Sequence, residues 1–322
     1  MWLEILQLTG GLALILVGAD ILVAGASSVA RRRGISELVV GLTIVAFGTS
    51  SPELVISLIS AINGSGSLAL GNVVGSNIFN LLMIVGCTAA IVPISVDRGA
   101  LRRDIPFTLL SSLVVFFCGS DILLDGASTD IISRIDGLLM LCFFLVFLFY
   151  TFSTARDPAP PEELPGKPEM PVWKAVLMIL GGLAGLVAGG DWFVDGASSV
   201  AAALGVSEAV IGLTIVAAGT SLPELATSVV AALKHKPGLA IGNAVGSCLF
   251  NVFFVLGLSA AIRPFPAGGV TTLDYGMLIG ASALLLFFGY FIGNRKITRG
   301  EGIVMACIYV AYCSYLVATA KG

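Results

Sequence analysis

Residues 36–54 recur at residues 207–225, identical at 15 of 19 positions without a gap. The same offset of 171 residues aligns Gly71-Asn72-Val73-Val74-Gly75-Ser76 with Gly242-Asn243-Ala244-Val245-Gly246-Ser247. It also aligns Gly18-Ala19-Asp20 with Gly189-Gly190-Asp191, and Gly25-Ala26-Ser27-Ser28 with Gly196-Ala197-Ser198-Ser199. The chain is one unit written twice, so its fold must be buildable from two copies that pack against each other.

The solvent for that fold is lipid. Of the 322 residues, 57% are hydrophobic and only 11% charged, against about 25% charged in soluble domains. Apolar runs of about 20 residues, the length that crosses a bilayer, recur along the whole sequence. They are continuously apolar rather than alternating, which argues for helices and against a transmembrane barrel. The N-terminal run lacks a basic leader and is long enough to span, so it reads as a first transmembrane helix rather than a cleaved signal.

The pattern predicts an all-α membrane protein with ten transmembrane helices, over residues 3–29, 36–62, 68–94, 104–120, 131–153, 172–201, 206–233, 238–262, 271–293 and 301–320. Residues 1–155 form the first five-helix repeat, 156–171 a Pro- and Glu-rich linker, and 172–322 the second repeat. Five is odd, so the second repeat enters the membrane from the opposite face. Inverted repeats of this kind build secondary transporters, with the substrate site near the midplane where the copies meet.

Loop charge gives the orientation. Arg31, Arg32, Arg33, Arg98, Arg102, Arg103, Arg156, Lys167, Lys174, Lys234, Lys236, Arg295, Lys296 and Arg299 fall on one side, which is 14 of the 17 Lys and Arg. Arg134, Arg263 and Lys321 fall on the other. The basic side, with the linker, is expected in the cytoplasm, and both termini in the periplasm or exterior of a cell (inner) membrane.

The most constrained stretch is Gly48-Thr49-Ser50-Ser51-Pro52-Glu53, with its copy Gly219-Thr220-Ser221-Leu222-Pro223-Glu224. Proline removes a backbone donor and frees the carbonyl four residues earlier. Thr and Ser are good helix-start residues, and Pro suits the first helical turn. The second and seventh helices are therefore expected to be broken, each first half ending near Ala46 or Ala217 and aiming its carbonyls at the joint. The hydroxyls of Thr49, Ser50, Thr220 and Ser221 and the carboxylates of Glu53 and Glu224 complete an all-oxygen ligand set. Such a set suits Ca²⁺ or Na⁺. No Cys or His converges on it, which disfavours Zn²⁺ or Cu⁺. An ionised group at the bilayer centre costs at least ~2.5–3.5 kcal/mol. A paired site should therefore prefer to be filled by a divalent cation, by several monovalent cations or by protons, and should resist crossing when empty.

On the following helix of each half, Ser76 with Asn80 and Ser247 with Asn251 are four residues apart and share a face. Repeated polar pairs on an apolar helix read as site lining. The glycines of Gly71/Gly75 and Gly242/Gly246 read as close helix packing. Asp20 and Asp191 are also symmetric, but caps or interfacial contacts explain them more simply than a site does. Asp195 faces Ala24 in the other copy and is assigned no role. Trp173 beside Lys174 reads as an interfacial anchor. The six cysteines lie in apolar helices without a CxxC pair and read as buried inert thiols. His235 lies in the basic loop Lys234-His235-Lys236.

These motifs resemble the α-repeats of the Ca²⁺/cation antiporter superfamily, most nearly its prokaryotic sodium/calcium exchanger branch of the bacterial YrbG type. The resemblance covers essentially the whole chain. It implies Glu53 and Glu224 as central carboxylates shared by Ca²⁺ and Na⁺. Thr49, Ser50, Thr220 and Ser221 would be hydroxyl or carbonyl ligands, Ala46 and Ala217 carbonyl donors, and Ser76, Asn80, Ser247 and Asn251 the remainder. The first and sixth helices resemble the family's sliding gating pair. Some exchangers carry Asp at the position of Asn251, including potassium-dependent ones. Asn here leaves two formal charges and argues against K⁺ co-transport. The linker is too short for the calcium-sensing insert of animal exchangers.

The function expected is Ca²⁺/Na⁺ antiport by alternating access, with no resident cofactor, no nucleic acid and no obligate protein partner. The alternative is H⁺/Ca²⁺ antiport through the same glutamates. It is disfavoured because the proton-coupled branch carries a carboxylate on the Gly-Asn helix, where this chain has Gly71-Asn72-Val73-Val74-Gly75. A passive pore is a third reading. Enzymatic chemistry is not expected, since no nucleophile–base pair converges on the site.

Overall fold

The computed structural model describes residues 2–154, 170–203, 217–292 and 295–319. It is mostly helical: α1 (Trp2–Arg33), α2 (Glu37–Thr49), α3 (Ser51–Ile62), α4 (Gly66–Ile91), α5 (Ile105–Cys118), α6 (Arg134–Thr154), α7 (Val172–Ala203), α8 (Leu222–Leu233), α9 (Pro237–Ile262), α10 (Thr272–Ile292) and α11 (Arg299–Thr319). Seven of the described helices are long and apolar enough to cross a bilayer, and the bent pair α2–α3 makes up to eight. Large apolar side chains such as Leu6, Phe149, Trp173 and Phe291 are exposed on these helices. That surface suits lipid rather than water.

Local chemistry sets the helix ends. α1 stops where Gly34 takes a left-handed φ of 63°. Three arginines sit in its last turn, against the negative end of the helix dipole. Ser36 then caps α2, its hydroxyl accepting from Val39 N–H at 3.3 Å. Thr271 and Asp274 form a capping box at the start of α10. His235 stands in the turn after α8 with a left-handed φ of 58°.

Two apolar cores divide the molecule. The larger surrounds α4 and α9 and takes in Phe79, Phe147, Phe253, Leu256 and Met305. The smaller holds α1 and α7 against the kinked helices through Ile15, Leu22, Ile179, Leu186, Val45 and Ala231. Along the α1–α7 seam a Cβ on Gly11 would lie 2.8 Å from the Gly189 carbonyl oxygen. A Cβ on Gly18 would lie 2.8 Å from that of Gly182, and one on Gly25 2.9 Å from that of Ala175. Glycine at seven-residue intervals lets the two backbones touch in antiparallel register.

The two sequence halves interlock. Gly86 of α4 packs on Gly302 of α11, and Gly257 of α9 on Gly137 of α6. Ser112 of α5 shares a 2.7 Å hydrogen bond with Ser282 of α10. Short antiparallel strands close the ends: β1 (Ile94–Ser95) pairs with β4 (Lys296–Ile297), and β2 (Ile131–Ile132) with β3 (Phe265–Pro266).

Several expectations are sharpened or corrected. The break in the second helix is a 50° bend at one residue, Ser50, and the first half runs to Thr49 rather than ending near Ala46. The reason is local: Ser50 N–H still reaches the Ala46 carbonyl at 3.0 Å, so the ladder survives until Pro52 removes its donor. In the seventh helix the short segment Ala217–Gly219 and α8 flank Thr220 and Ser221. The rest of that span, 206–216, lies outside the described residues, as do linker residues 156–169. All six cysteines are free, but Cys142 and Cys307 are exposed on helix surfaces rather than buried. The close packing read into the GxxxG pairs holds at Gly242 and Gly246, whose Cβ atoms would lie 2.6 Å and 2.8 Å from the Leu38 and Leu42 carbonyl oxygens. Gly71 and Gly75 meet no described atom within 4 Å.

Candidate ion-binding site

Glu53 and Glu224 sit in the first turns of α3 and α8, each directly after a proline. Both are fully buried. The positive end of each helix dipole favours a carboxylate there. The kink residues cross-connect them. Ser50 donates its hydroxyl to Glu224 Oε1 at 2.8 Å, and Ser221 donates to Glu53 Oε1 at 3.1 Å. Thr220 lies against Glu53, while Thr49 and Ser247 lie against Glu224. The two carboxylates are close enough for their charges to repel.

One oxygen of each carboxylate is thus held, and the other is not. Glu53 Oε2 and Glu224 Oε2 are buried without a hydrogen-bond partner. So are Ser76 Oγ, Ser247 Oγ, Asn251 Oδ1 and both polar atoms of the Asn80 amide. Buried polar groups are nearly always bonded, and each one left unmade costs ~1–3 kcal/mol. Elsewhere the buried carboxylate of Asp104 takes the Tyr150 hydroxyl at 2.9 Å and that of Asp274 takes Thr271 and Tyr312, whereas Glu301, held by Thr298 through Oε2, also leaves Oε1 unpaired, so recurrence in both halves is what sets Glu53 and Glu224 apart. All but one of these orphaned atoms at the predicted site residues are oxygens. Among the described residues no group of three or more His, Cys, Asp or Glu could hold a metal. The donor set of two carboxylates, hydroxyls and amide oxygens fits hard cations such as Na⁺ and Ca²⁺.

Asn80 and Asn251 fall inside π-helical turns, Phe79–Ile84 and Phe250–Leu256, which widen α4 and α9 beside the glutamates. Such turns re-aim side chains and recur at functional sites. Asn80 borders Cys248. Asn251 Nδ2 donates to Asn77 Oδ1 at 3.3 Å. Ser76 is buried one turn before Asn80. The Ala46 carbonyl already accepts from Ser50 N–H, and from the Thr49 hydroxyl at 3.4 Å. Ala217 opens the short helix next to the residues outside description.

The sequence reading missed the clamps behind the glutamates. Asn243 Nδ2 donates to the Glu224 carbonyl at 3.1 Å and to Ser228 Oγ at 3.0 Å, and its Oδ1 accepts from Thr49 at 3.2 Å. Asn72 Nδ2 reaches the Glu53 carbonyl at 3.4 Å and Ser57 Oγ at 2.9 Å. The signal was present: Ser57 and Ser228 are 171 residues apart, as are the two asparagines. Asn77, which donates to the Cys248 carbonyl at 3.1 Å, has no polar copy and left no such trace.

A cavity of about 350 Å³ adjoins the site, lined by Pro52 and Ile56, by Asp191, Val194 and Asp195 of α7, and by Thr220 and Pro223.

A bundle of membrane-spanning helices with a kinked pair and a second helix start meeting at buried oxygen donors is the architecture of an ion transporter. The sodium/calcium exchanger protein family matches residues 3–153 and 174–318. CaxA of Alkalimonas amylolytica is 38% identical, over 94% of this chain and 95% of that protein. The inner membrane protein YrbG of Escherichia coli is 35% identical, over 91% and 90%. The solved sodium-calcium exchanger NCX_Mj, studied for extracellular ion exchange and induced binding-site occlusion, superposes with a TM-score of 0.81 at 30% identity over 97% of this chain and 98% of that one. The chain belongs to the sodium/calcium exchanger family and is an integral membrane antiporter.

Proposed function

We propose that the protein exchanges Ca²⁺ for Na⁺ by alternating access at a midplane site centred on Glu53 and Glu224. Thr49, Ser50, Thr220, Ser221, Ser76, Asn80, Ser247 and Asn251 complete the ligand shell, with the Ala46 and Ala217 carbonyls at the helix breaks. The observation that carries this reading is the convergence of orphaned, buried oxygens on residues that recur in both halves. The chain would cross the membrane ten times as inverted repeats 1–155 and 172–322, joined by linker 156–171. Reciprocal strand pairing and reciprocal Ser–Glu bonds support that arrangement. The basic end, where Arg33 precedes α2 and where Lys236 pairs with Glu37 at 2.6 Å, would face the cytoplasm.

Two buried negative charges cannot be left uncompensated in a low-dielectric interior. Ca²⁺ neutralises both, and so do Na⁺ ions taken together, whereas the empty site carries its full charge through any rearrangement. Exchange rather than leak follows from that penalty. The test is Ca²⁺ uptake into proteoliposomes loaded with Na⁺, beside choline-loaded and pH-jump controls. Uptake only with the Na⁺ gradient, lost in Glu53→Gln and Glu224→Gln, is the expected result. Uptake driven by the pH jump alone would move the protein to proton coupling.

A further inference from the structure

The two halves place equivalent residues around two approaches to the glutamate-bearing turns, and the approaches differ: one is an open mouth, the other a closed one. One is the cavity between α7 and α3, where Ile56, Val194 and Thr220 are at least partly accessible and Asp191 and Asp195 are exposed. The residues at the equivalent positions of the other half are Thr227, Val23, Thr49, Asp20 and Ala24. There Thr227, Val23 and Thr49 are buried, because α1 lies directly on α8. One contact crosses that closed mouth at its rim: Lys234 Nζ meets Asp20 Oδ1 at 2.7 Å and donates to the Asp20 carbonyl at 3.0 Å.

Lys234 is the C-cap residue of α8. The C-cap residue of α3, at the equivalent position of the first half, is Asn63. Asp191 is the copy of Asp20, so the open mouth has the carboxylate of the pair and an amide at the lysine's position, while the nearby Arg263 guanidinium is engaged by the Ile62 carbonyl at the same helix end. Closing α7 onto α3 would bring Asp191 towards Asn63, which offers no charge to match Lys234.

Building on the antiport reading, we propose that Asp20–Lys234 is a one-sided latch. It holds the α1–α8 mouth closed and biases the exchanger towards the state open between α7 and α3. The reverse state lacks a lysine at the equivalent position, so the two half-cycles are energetically unequal. A lysine at a helix C-terminus also has a purely local use, balancing the helix dipole. The latch differs from that use in what it predicts for the opposite mouth.

The experiment measures which mouth is accessible. Val194→Cys reports the α7–α3 mouth and Val23→Cys the α1–α8 mouth, each in the full-length chain with its six native cysteines replaced. Both are labelled in proteoliposomes with a membrane-impermeant thiol reagent applied to either face. Lys234→Met should raise labelling at position 23 relative to position 194 by about two- to fivefold, the range open to a partly exposed ion pair. Asn63→Lys should install the missing latch against Asp191 and shift the ratio the opposite way. Exchanging the charges, Asp20→Lys with Lys234→Asp, should return it towards the parent value. An unchanged ratio in Lys234→Met and in Asn63→Lys, in protein that still exchanges ions, overturns the latch. If labelling in the parent protein never responds to Na⁺ or Ca²⁺, alternating access fails instead, and the two failures are told apart.

Discussion

Asn243 is the buried strut that fixes the backbone of Glu224, and replacing it with alanine should cost more than the same change at Asn72. Asn243 makes three hydrogen bonds, at 3.0, 3.1 and 3.2 Å, and is fully buried. At about 1 kcal/mol net per bond, with a further charge for leaving the Glu224 carbonyl dry, the loss is ~3–4 kcal/mol. Asn72 is half-buried and makes one good bond at 2.9 Å and a long one at 3.4 Å. Its loss should be ~1–2 kcal/mol. The assay is thermal unfolding of purified protein in detergent, with and without Ca²⁺. Asn243→Ala should lower Tm by several degrees more than Asn72→Ala, and Ca²⁺ should recover less of the loss, because the ligand-bearing turn of α8 is no longer held. Equal shifts for the two variants, or a larger one for Asn72→Ala, would refute the reasoning that these asparagines act as backbone clamps.

Other perturbations separate the site from its supports. Ser50→Ala and Ser221→Ala each remove one hydrogen bond to a carboxylate, worth ~1.5–3 kcal/mol when the acceptor is charged. Isothermal titration should show Ca²⁺ affinity falling at least tenfold in both, with the fold intact by circular dichroism. Gly182→Val should separate α1 from α7, since even its Cβ would lie 2.7 Å from Leu22 N, within a backbone contact. Overpacking of this kind costs ~1–3 kcal/mol, read as lost detergent stability together with slowed exchange. Ser112→Ala with Ser282→Ala removes a remote hydrogen-bonded pair whole, so ion affinity should stay unchanged within about twofold.

Much of this was legible before any coordinates. The placement of Pro52 locates the described kink, because a proline's missing donor acts through covalent geometry alone. The conjunction of Ser, Thr and Glu in apolar sequence marks the proposed oxygen ligands, because lipid leaves polar groups few other uses. What the sequence hid depends on distance. Nothing in α2 says that Ser50 bonds Glu224 rather than its own half's Glu53, since that crossing appears only when the copies interleave. The π-turns holding Asn80 and Asn251 have no proline or glycine to announce them. Asp20 reads in sequence as a cap or an interfacial group, and its partner Lys234 lies too far along the chain to be seen there. The first break falls at Ser50 rather than near Ala46 because the hydrogen-bond ladder outlasts the point at which proline begins to weaken it.

The crossed strand pairs carry a consequence for how the protein is made. Ile94 finds its hydrogen-bonding partner only when Ile297 has been synthesised, and Ile132 waits for Phe265. The first half therefore leaves the translocon with its helices inserted but its end strands unpaired and the seat for α11 on α4 unfilled. Such a half-molecule is expected to be open to proteolysis rather than a folded module. Co-expressing the two halves as separate chains should restore what neither achieves alone, and the nascent first half should remain protease-sensitive until the last helix arrives.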